Sequence, residues 1–434
     1  MCVLALAVGA GTARASTTID PSFFGQHLEN YPSYPDICGA SGSSCPAPPW
    51  GVSAIRLWDS GVSWCDIEPT SSQDNWTQLD NWLNTYPNAN FVYTFGKPPG
   101  WAEGTTGGCQ TSSNAVVPSE TAWKNFVTRL VQHAAGRIKY FELWNEWDGA
   151  WGGTTAQMVA FAHDAAQIIH GANQGLQVLT PSVSDFDGRF YGTCTGNCLP
   201  NGTLENFLSA DPASTGDIDI VDVHTYPMNS NNEGGFPEGY LPQWIAHVRS
   251  AMATYGGYAN YPLWSTEGSW GNNANTFPGY SDSTGASQRA FVARYYLQML
   301  SNGVGRAYWY AYANPSWGTL WPASPAPGGW SATNALVNPT TGWLTGATIT
   351  TPCSKDGTTG VWTCNLTRSS PAGYQGQILW TESTTPVCVP IPSGYTTLRT
   401  LSGGSSQVTQ QSPNGCPSPS TQLQVSTEPI LIEN

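Results

Sequence analysis

Two glutamates stand where a carboxyl group could do chemistry: Glu146, closing the run Tyr140-Phe-Glu-Leu-Trp-Asn-Glu146, and Glu267, closing Pro262-Leu-Trp-Ser-Thr-Glu267. Each follows residues of strand type, so each is expected at the exit of a buried strand, where it can face a cleft. Two carboxyl groups across a cleft suit the cleavage of an acetal. One protonates the leaving oxygen, and the other attacks the anomeric carbon as a carboxylate. A separation of about 5–5.5 Å corresponds to retention of configuration and about 6.5–9.5 Å to inversion. If Tyr140 to Asp148 is extended throughout, Glu142, Trp144 and Glu146 share one face and Phe141, Leu143 and Asn145 the other. Glu142 then sits about 13 Å back along the strand as a buried structural partner. The plainer alternative is that Asn145 and Glu146 only cap the next turn.

The elements that must position these groups follow from the chain's periodicity. From about Phe23 to Ala347 short apolar strands alternate with longer amphipathic helices, a pattern of parallel α/β architecture. The strand candidates are Phe23 to Glu29, Ala54 to Asp59, Phe91 to Phe95, Ile138 to Glu146, Gln177 to Val183, Ile218 to Tyr226, Leu263 to Glu267 and Gly305 to Tyr312. Helical spacing marks Glu120 to Ala135, Thr155 to Ala172, Pro242 to Tyr255 and Ser287 to Ser301. Eight rounds favour a (β/α)8 TIM barrel over a doubly wound sheet. No glycine-rich phosphate loop follows the first strand, which leaves nucleotide binding without support.

In such a barrel the functional groups sit at the C-terminal ends of the strands. The exits carry His27 and Glu29; Arg56, Trp58 and Asp59; Lys97 to Trp101; Asn145 and Glu146; His224 and Tyr226; Glu267; and Trp309 with Tyr310. After about Ala347 the texture changes to Thr, Ser, Gly and Pro with short strand-like runs. We read residues 17–347 as the barrel and 348–434 as a disulfide-stapled, all-β, sandwich-like module. A structural buttress is favoured over a carbohydrate-binding unit, because no flexible linker precedes it.

Composition narrows the classes further. With 15 Lys and Arg against 29 Asp and Glu, the formal net charge is -14, a field that repels nucleic acid and anionic membranes. Twenty Trp and 19 Tyr provide flat rings of the kind sugars stack on, although ordinary core packing accounts for most of them. Met1 to Ser16, ending in Ala13-Arg-Ala15, resembles a signal peptide without a basic start, and so secretion is expected. No later run is long and apolar enough to span a membrane. Beyond Cys2 there are ten cysteines, which suggests five disulfides, with Cys38 to Cys45 and Cys353 to Cys364 as plausible local pairs. Cys194 and Cys198 lack the second pair a zinc site requires, so no metal is expected. Asn75, Asn201 and Asn365 begin glycosylation sequons.

Leu143-Trp-Asn-Glu146, Pro262-Leu-Trp-Ser-Thr-Glu267 and Arg56 together resemble the signature of clan A retaining glycoside hydrolases. Phe24-Gly-x-His27, Ala54-Ile-Arg-Leu-Trp58 and the C-terminal β module are most similar to family 39 and its endoglycosidase-like relatives. The resemblance implies a TIM barrel, Glu146 as acid/base and Glu267 as nucleophile, with no cofactor. By the same resemblance Arg56 and Tyr226 orient Glu267, and Trp309 forms a stacking platform on the glycone side. Asn145 would bind the sugar 2-hydroxyl.

His27 and His224 are hydroxyl contacts or packed histidines with equal weight. Trp58, Trp101, Trp147 and Trp270 either line further subsites or pack loops. Glu29, Asp59, Glu103 and Asp148 compete with the glutamate pair but lack its paired strand-exit context. The expected substrate is a β-linked polysaccharide or oligosaccharide, attacked endo rather than exo because the aromatics suggest an open cleft, and the expected state is a monomer. An exo-acting β-glycosidase or β-xylosidase, a non-catalytic sugar-binding barrel and a metal-dependent hydrolase are the alternatives.

Overall fold

The computed structural model describes residues 18–28, 51–105, 108–109, 117–172, 174–184, 202–227, 235–273, 282–314, 316–320 and 328–434. Met1 to Ser16, Glu29, Cys38, Cys45, Cys194, Cys198 and Asn201 lie outside them. Eight short strands carry the first part: β1 (Phe24–Gln26), β2 (Ala54–Leu57), β3 (Asn90–Thr94), β4 (Tyr140–Glu142), β5 (Gln177–Leu179), β6 (Val221–His224), β7 (Leu263–Gly268) and β8 (Ala307–Trp309). They pair in parallel in the order β5-β4-β3-β2-β1-β8-β7-β6. The two ends of that order meet through a parallel bridge between Leu179 and Ile220, with the Thr180 amide donating to the Ile220 carbonyl at 3.0 Å. The ring is a (β/α)8 barrel.

Period-two alternation divides the interior into two layers. Towards the N-terminal ends Ala54, Val92, Leu179, Ile220, Trp264 and Tyr308 form an apolar plug. Two residues further along the same strands, Arg56, Thr94 and Asp222 are buried and polar, as is Glu142 on β4. A side chain on Gly25 would meet the Tyr308 ring at 2.2 Å, so the glycine is what lets Tyr308 lie across the plug. The outward residues pack against the helical layer; Phe141 and Val178 share a core with Trp123, Phe126 and Leu130 of the helix Glu120–Ala134. That helix starts where the Ser119 side chain accepts from the Ala122 amide, and the helix Thr155–Gly171 starts at a Thr154/Gln157 capping box.

The strands are shorter than their apolar runs. β4 stops at Glu142 because the chain beyond bonds to the loop after β5: the Ser182 amide donates to Trp144 at 2.8 Å, and the Trp147 amide to Ser182 at 3.1 Å. These bonds replace the ladder, so the alternation expected as far as Glu146 does not continue.

The second part contains β9 (Ala347–Lys355), β10 (Val361–Arg368), β11 (Gln375–Thr381), β12 (Val387–Pro390), β13 (Thr397–Thr400), β14 (Ser405–Gln407), β15 (Gln422–Val425) and β16 (Ile430–Glu433). They form a six-stranded antiparallel sheet of order β14-β13-β16-β11-β10-β9 and a two-stranded sheet of β12 and β15. Disulfides join Cys353 to Cys364 and Cys388 to Cys416 here, and Cys65 to Cys109 in the barrel. Leu366, Ile378, Trp380 and Leu431 enter the same core as the barrel helices. Arg294 of the helix Ala286–Ser301 binds Glu238 through two nitrogens at 2.7 and 2.6 Å, and Trp380 donates to the same carboxylate at 2.7 Å. Arg289 holds Glu428 in the same two-pronged way, at 2.7 and 3.0 Å. The module is fastened to the barrel by a shared core and by charge. Among the described residues no helix is long and apolar enough to cross a membrane.

Candidate active site

Arg56 projects inward from β2 and organises the polar layer. Its Nε and Nη2 donate to the two oxygens of Glu142, both at 2.6 Å, Nη1 donates to Glu267 Oε2 at 2.8 Å, and Nη2 also reaches Asn145 Oδ1 at 2.7 Å. Thr94 donates a further bond to Glu142 at 2.9 Å. Burial works against the charge on Glu142, but the Arg56 guanidinium and its hydrogen bonds hold this carboxylate below its usual range. Glu142 is therefore a fixed anion beneath the site.

Glu267 reaches the layer through a shift in the β7 ladder: Val223 of β6 pairs with Ser265, but the next residue, His224, pairs with Glu267. The extra residue is Thr266, whose amide and hydroxyl bind Asp222 at 3.1 and 2.7 Å. An irregularity of this kind re-aims a side chain, so consecutive residues, Thr266 and Glu267, both serve the interior. Tyr226 donates to Glu267 Oε1 at 2.5 Å while Arg56 holds Oε2. Burial raises the Glu267 carboxyl, opposed by His224; the Glu146 charge raises it further, against Arg56 and Tyr226.

Glu146 stands just past β4 in the left-handed region, with φ 43° and ψ 54°, a conformation that costs energy for a side-chain residue and gathers at functional sites. It occupies the N-cap position of the short helix Trp147–Ala150 but makes no side-chain capping bond. Its backbone amide is held by Ser182 at 3.1 Å, and its carboxylate meets His224 Nδ1 at 2.9 Å. Capping alone therefore does not account for it. Its side chain is 30% exposed, in contrast to Glu142. Burial, with the charges of Glu142 and Asp59 and against Arg56, pushes the Glu146 carboxyl up to about 7. The Glu146 charge in turn raises Glu267.

Donor atoms of Glu146, His224 and Glu267 lie within 4.8 Å of one another. That spacing could hold a cation, but Arg56 already supplies a positive group to Glu267 at this point. Two carboxyl groups this close, one protonated near neutrality and one clamped by two donors, can act as a proton donor and a nucleophile on one bond.

The structure brings together Arg56, Asn145, Glu146, His224, Tyr226 and Glu267, and corrects several other expectations. Trp309 is not a stacking platform. Because Tyr308 points into the plug, Trp309 points outward, is 0% exposed, packs against Trp270, Phe291 and Tyr295, and donates to Gly318 at 2.6 Å. The residue re-entering the cleft is Tyr310, which donates to Asp59 at 2.9 Å and stands edge-on to His27 at 4.9 Å. His27 and His224 are both 0% exposed; His27 Nε2 meets the Thr266 carbonyl at 2.9 Å, so they support the site from behind instead of touching sugar. Burial lowers both imidazoles, His27 strongly.

Trp270 and Trp147 are buried, and Trp101 donates to the Glu68 carbonyl at 3.0 Å, so all three pack loops. Trp58 stays partly open, with the Lys97 ammonium 4.2 Å from its ring centre. Asp148 accepts from Ser184, from its amide at 3.0 Å and its hydroxyl at 2.6 Å. Thr94, Ser182 and Trp317, which stands edge-on to Tyr226 at 5.8 Å, were not foreseen. Thr94 was accessible as the inward neighbour of Val92; the other two lie on irregular segments without a periodic signal.

No protein-family model matches the sequence, and no curated protein matches it either. Solved structures do. The chain is similar to a family 39 glycoside hydrolase from the gut symbiont Bacteroides cellulosilyticus, with TM-score 0.65 and 15% identity over 96% of this chain and 82% of that one. It is also similar to a family 44 endoglucanase of Clostridium acetobutylium, with TM-score 0.59 and 12% identity over 96% and 97% of the two chains. A bifunctional glucanase-xylanase from a metagenome library gives TM-score 0.60 and 13% identity over 96% of each chain. At these identities the likeness is one of fold: the barrel with its attached β module is shared with these glycoside hydrolases.

Proposed function

We propose that this chain is a secreted retaining glycoside hydrolase that cleaves β-linked polysaccharides or oligosaccharides by double displacement, with endo action. The observation that carries the reading is the pairing within 4.8 Å of Glu146, partly open beside His224, with Glu267, clamped by Arg56 and Tyr226. Oxygens this close support the roughly 5–5.5 Å carboxyl separation of retaining enzymes over the roughly 6.5–9.5 Å of inverting ones. Glu146, raised to about 7, begins protonated and gives its proton to the leaving oxygen. Glu267, oriented by Arg56 and Tyr226, attacks the anomeric carbon and forms the glycosyl ester. Having given up its proton, Glu146 stands as a carboxylate and takes a proton from the incoming water, whose oxygen attacks the anomeric carbon and releases Glu267 from the ester.

Three disulfides and the likeness to a conserved exported protein from Bacteroides fragilis support secretion. The endoglucanase and glucanase-xylanase neighbours support a glucan or xylan backbone as the first substrates to try. The test is the NMR spectrum of the first product released from a susceptible oligosaccharide. A β-anomer formed first is the expected result, and an α-anomer formed first contradicts retention. Glu267→Gln should reduce turnover to background.

A further inference from the structure

Between the acid strand β4 and the nucleophile strand β7, the barrel wall runs through β3, β2, β1 and β8. Along this arc one polar cluster joins three strand exits. Asp59, after β2, receives the Lys97 ammonium from beyond β3 on Oδ1 and the Tyr310 hydroxyl from beyond β8 on Oδ2, the latter at 2.9 Å. Lys97 lies over the Trp58 ring. The pair remains open to solvent, Asp59 at 33% and Lys97 at 28%. It borders the polar layer that holds the glutamates: the Arg56 guanidinium lies 6.0 Å from the centre of the Trp58 ring, and Tyr310 stands edge-on to His27 at 4.9 Å. Asp59 and Lys97 both have left-handed backbones, φ 55° and 45°, at a cost the surrounding structure must offset.

We infer that the Asp59–Lys97 pair is a specificity-determining subsite that grips neighbouring hydroxyl groups of a neutral sugar ring. This rests on the glycosidase reading above. A carboxylate accepting one bond on each oxygen keeps lone pairs for sugar hydroxyls, and an ammonium spending one of three protons keeps donors for sugar oxygens. One group that accepts beside one that donates matches two adjacent hydroxyls. The ring must be neutral. The pair cancels its own charge, and a uronate placed there would face the Asp59 carboxylate and compete with it for Lys97. Trp58 is thereby redefined: its ring seats the lysine and is not a free stacking face for sugar.

The test uses the full chain carrying Glu267→Gln, which should bind without turnover, titrated calorimetrically with cellohexaose, xylohexaose, mannohexaose and laminarihexaose. Asp59→Asn and Lys97→Met are then added separately. The expected result is a tenfold or greater loss of affinity for the best-bound hexasaccharide in each variant, with Tm within about 2 °C of the parent, as an exposed pair contributes little to stability. Lys97→Arg, which keeps the pair, takes the place of Lys97→Met should that variant not fold, with the same loss expected from the displaced donor. Affinities within twofold of the parent overturn the inference while leaving the glycosidase reading intact. A loss of affinity accompanied by a fall in Tm above about 5 °C also overturns it, placing the pair in the fold. A parent that binds none of the four sugars overturns the glycosidase reading and this inference with it.

Discussion

Two arginines, Arg56 and Arg294, are each 0% exposed and each held by both oxygens of a glutamate, Glu142 and Glu238 respectively. Their surroundings separate them. Arg294 meets its glutamate one to one at the junction of barrel and module; Trp380 completes the carboxylate's bonds, and the Phe236 ring lies 3.9 Å from the guanidinium. Arg56 faces an excess of acid: Glu142 and Glu267 directly, with Glu146 and Asp222 close by. The excess raises the carboxyl groups that Arg56 does not bind directly. Burial, together with the Glu142 charge, raises Asp222 well above its usual range, and Glu146 rises to about 7. A balanced buried pair fastens two parts of the chain; an unbalanced one raises a neighbouring carboxyl group, as the proposed proton donor requires.

The largest effect should come from Arg56→Met. Leaving Glu142 and Glu267 buried without their cation should cost about 3–5 kcal/mol of stability and remove turnover, since Glu267 loses its orientation; denaturant melts and hydrolysis assays check both, and retained turnover would break the contrast. Arg294→Met should cost a similar amount, about 3–5 kcal/mol, yet leave kcat within about twofold on the folded fraction. If it silenced the enzyme, the junction would not be merely structural.

The proton account is sharpened by pH. Glu146 is raised on folding, so the folded chain binds its proton more tightly; the stability this gives is fully present below the unfolded pKa and is lost as pH rises through about 7. Turnover should therefore decline along an alkaline limb near pH 7, and Glu146→Gln should remove both that limb and the associated loss of Tm while cutting kcat about 10²–10⁴-fold. The lowered Glu142 acts with the opposite sign, its contribution being lost as pH falls through its folded pKa. The smallest effect is expected from Trp309→Phe. It should cost about 1–2 kcal/mol of packing without changing oligosaccharide affinity, whereas a sugar platform would lose binding.

Much of this was legible in the residues. Eight apolar runs with intervening helical spacing pointed to the barrel, and the exit of the second run pointed to Arg56. Glu146 and Glu267 could be paired because each closes a strand-like run. The failures share a cause: an exit read without its register. Position at the exit of β8 alone points Trp309 into the cleft, yet alternation from Tyr308 turns it outward and brings Tyr310 in. The ladder shift that delivers Glu267 one residue after Thr266, and the left-handed turn that frees Glu146 from capping, depend on contacts from other strands. No local pattern encodes them. The Asp59–Lys97 pair joins residues 38 apart in sequence across two strand exits, which only the closed ring brings together.

The central claim is the division of labour between Glu146 and Glu267, and azide rescue tests it most directly. Glu267→Gly, assayed by NMR with an activated β-aryl glycoside and azide, should regain turnover and yield the α-glycosyl azide, since the anion enters from the vacated nucleophile face while Glu146 still donates its proton. Absence of rescue, or formation of the β-glycosyl azide, would contradict the assignment of Glu267 as nucleophile.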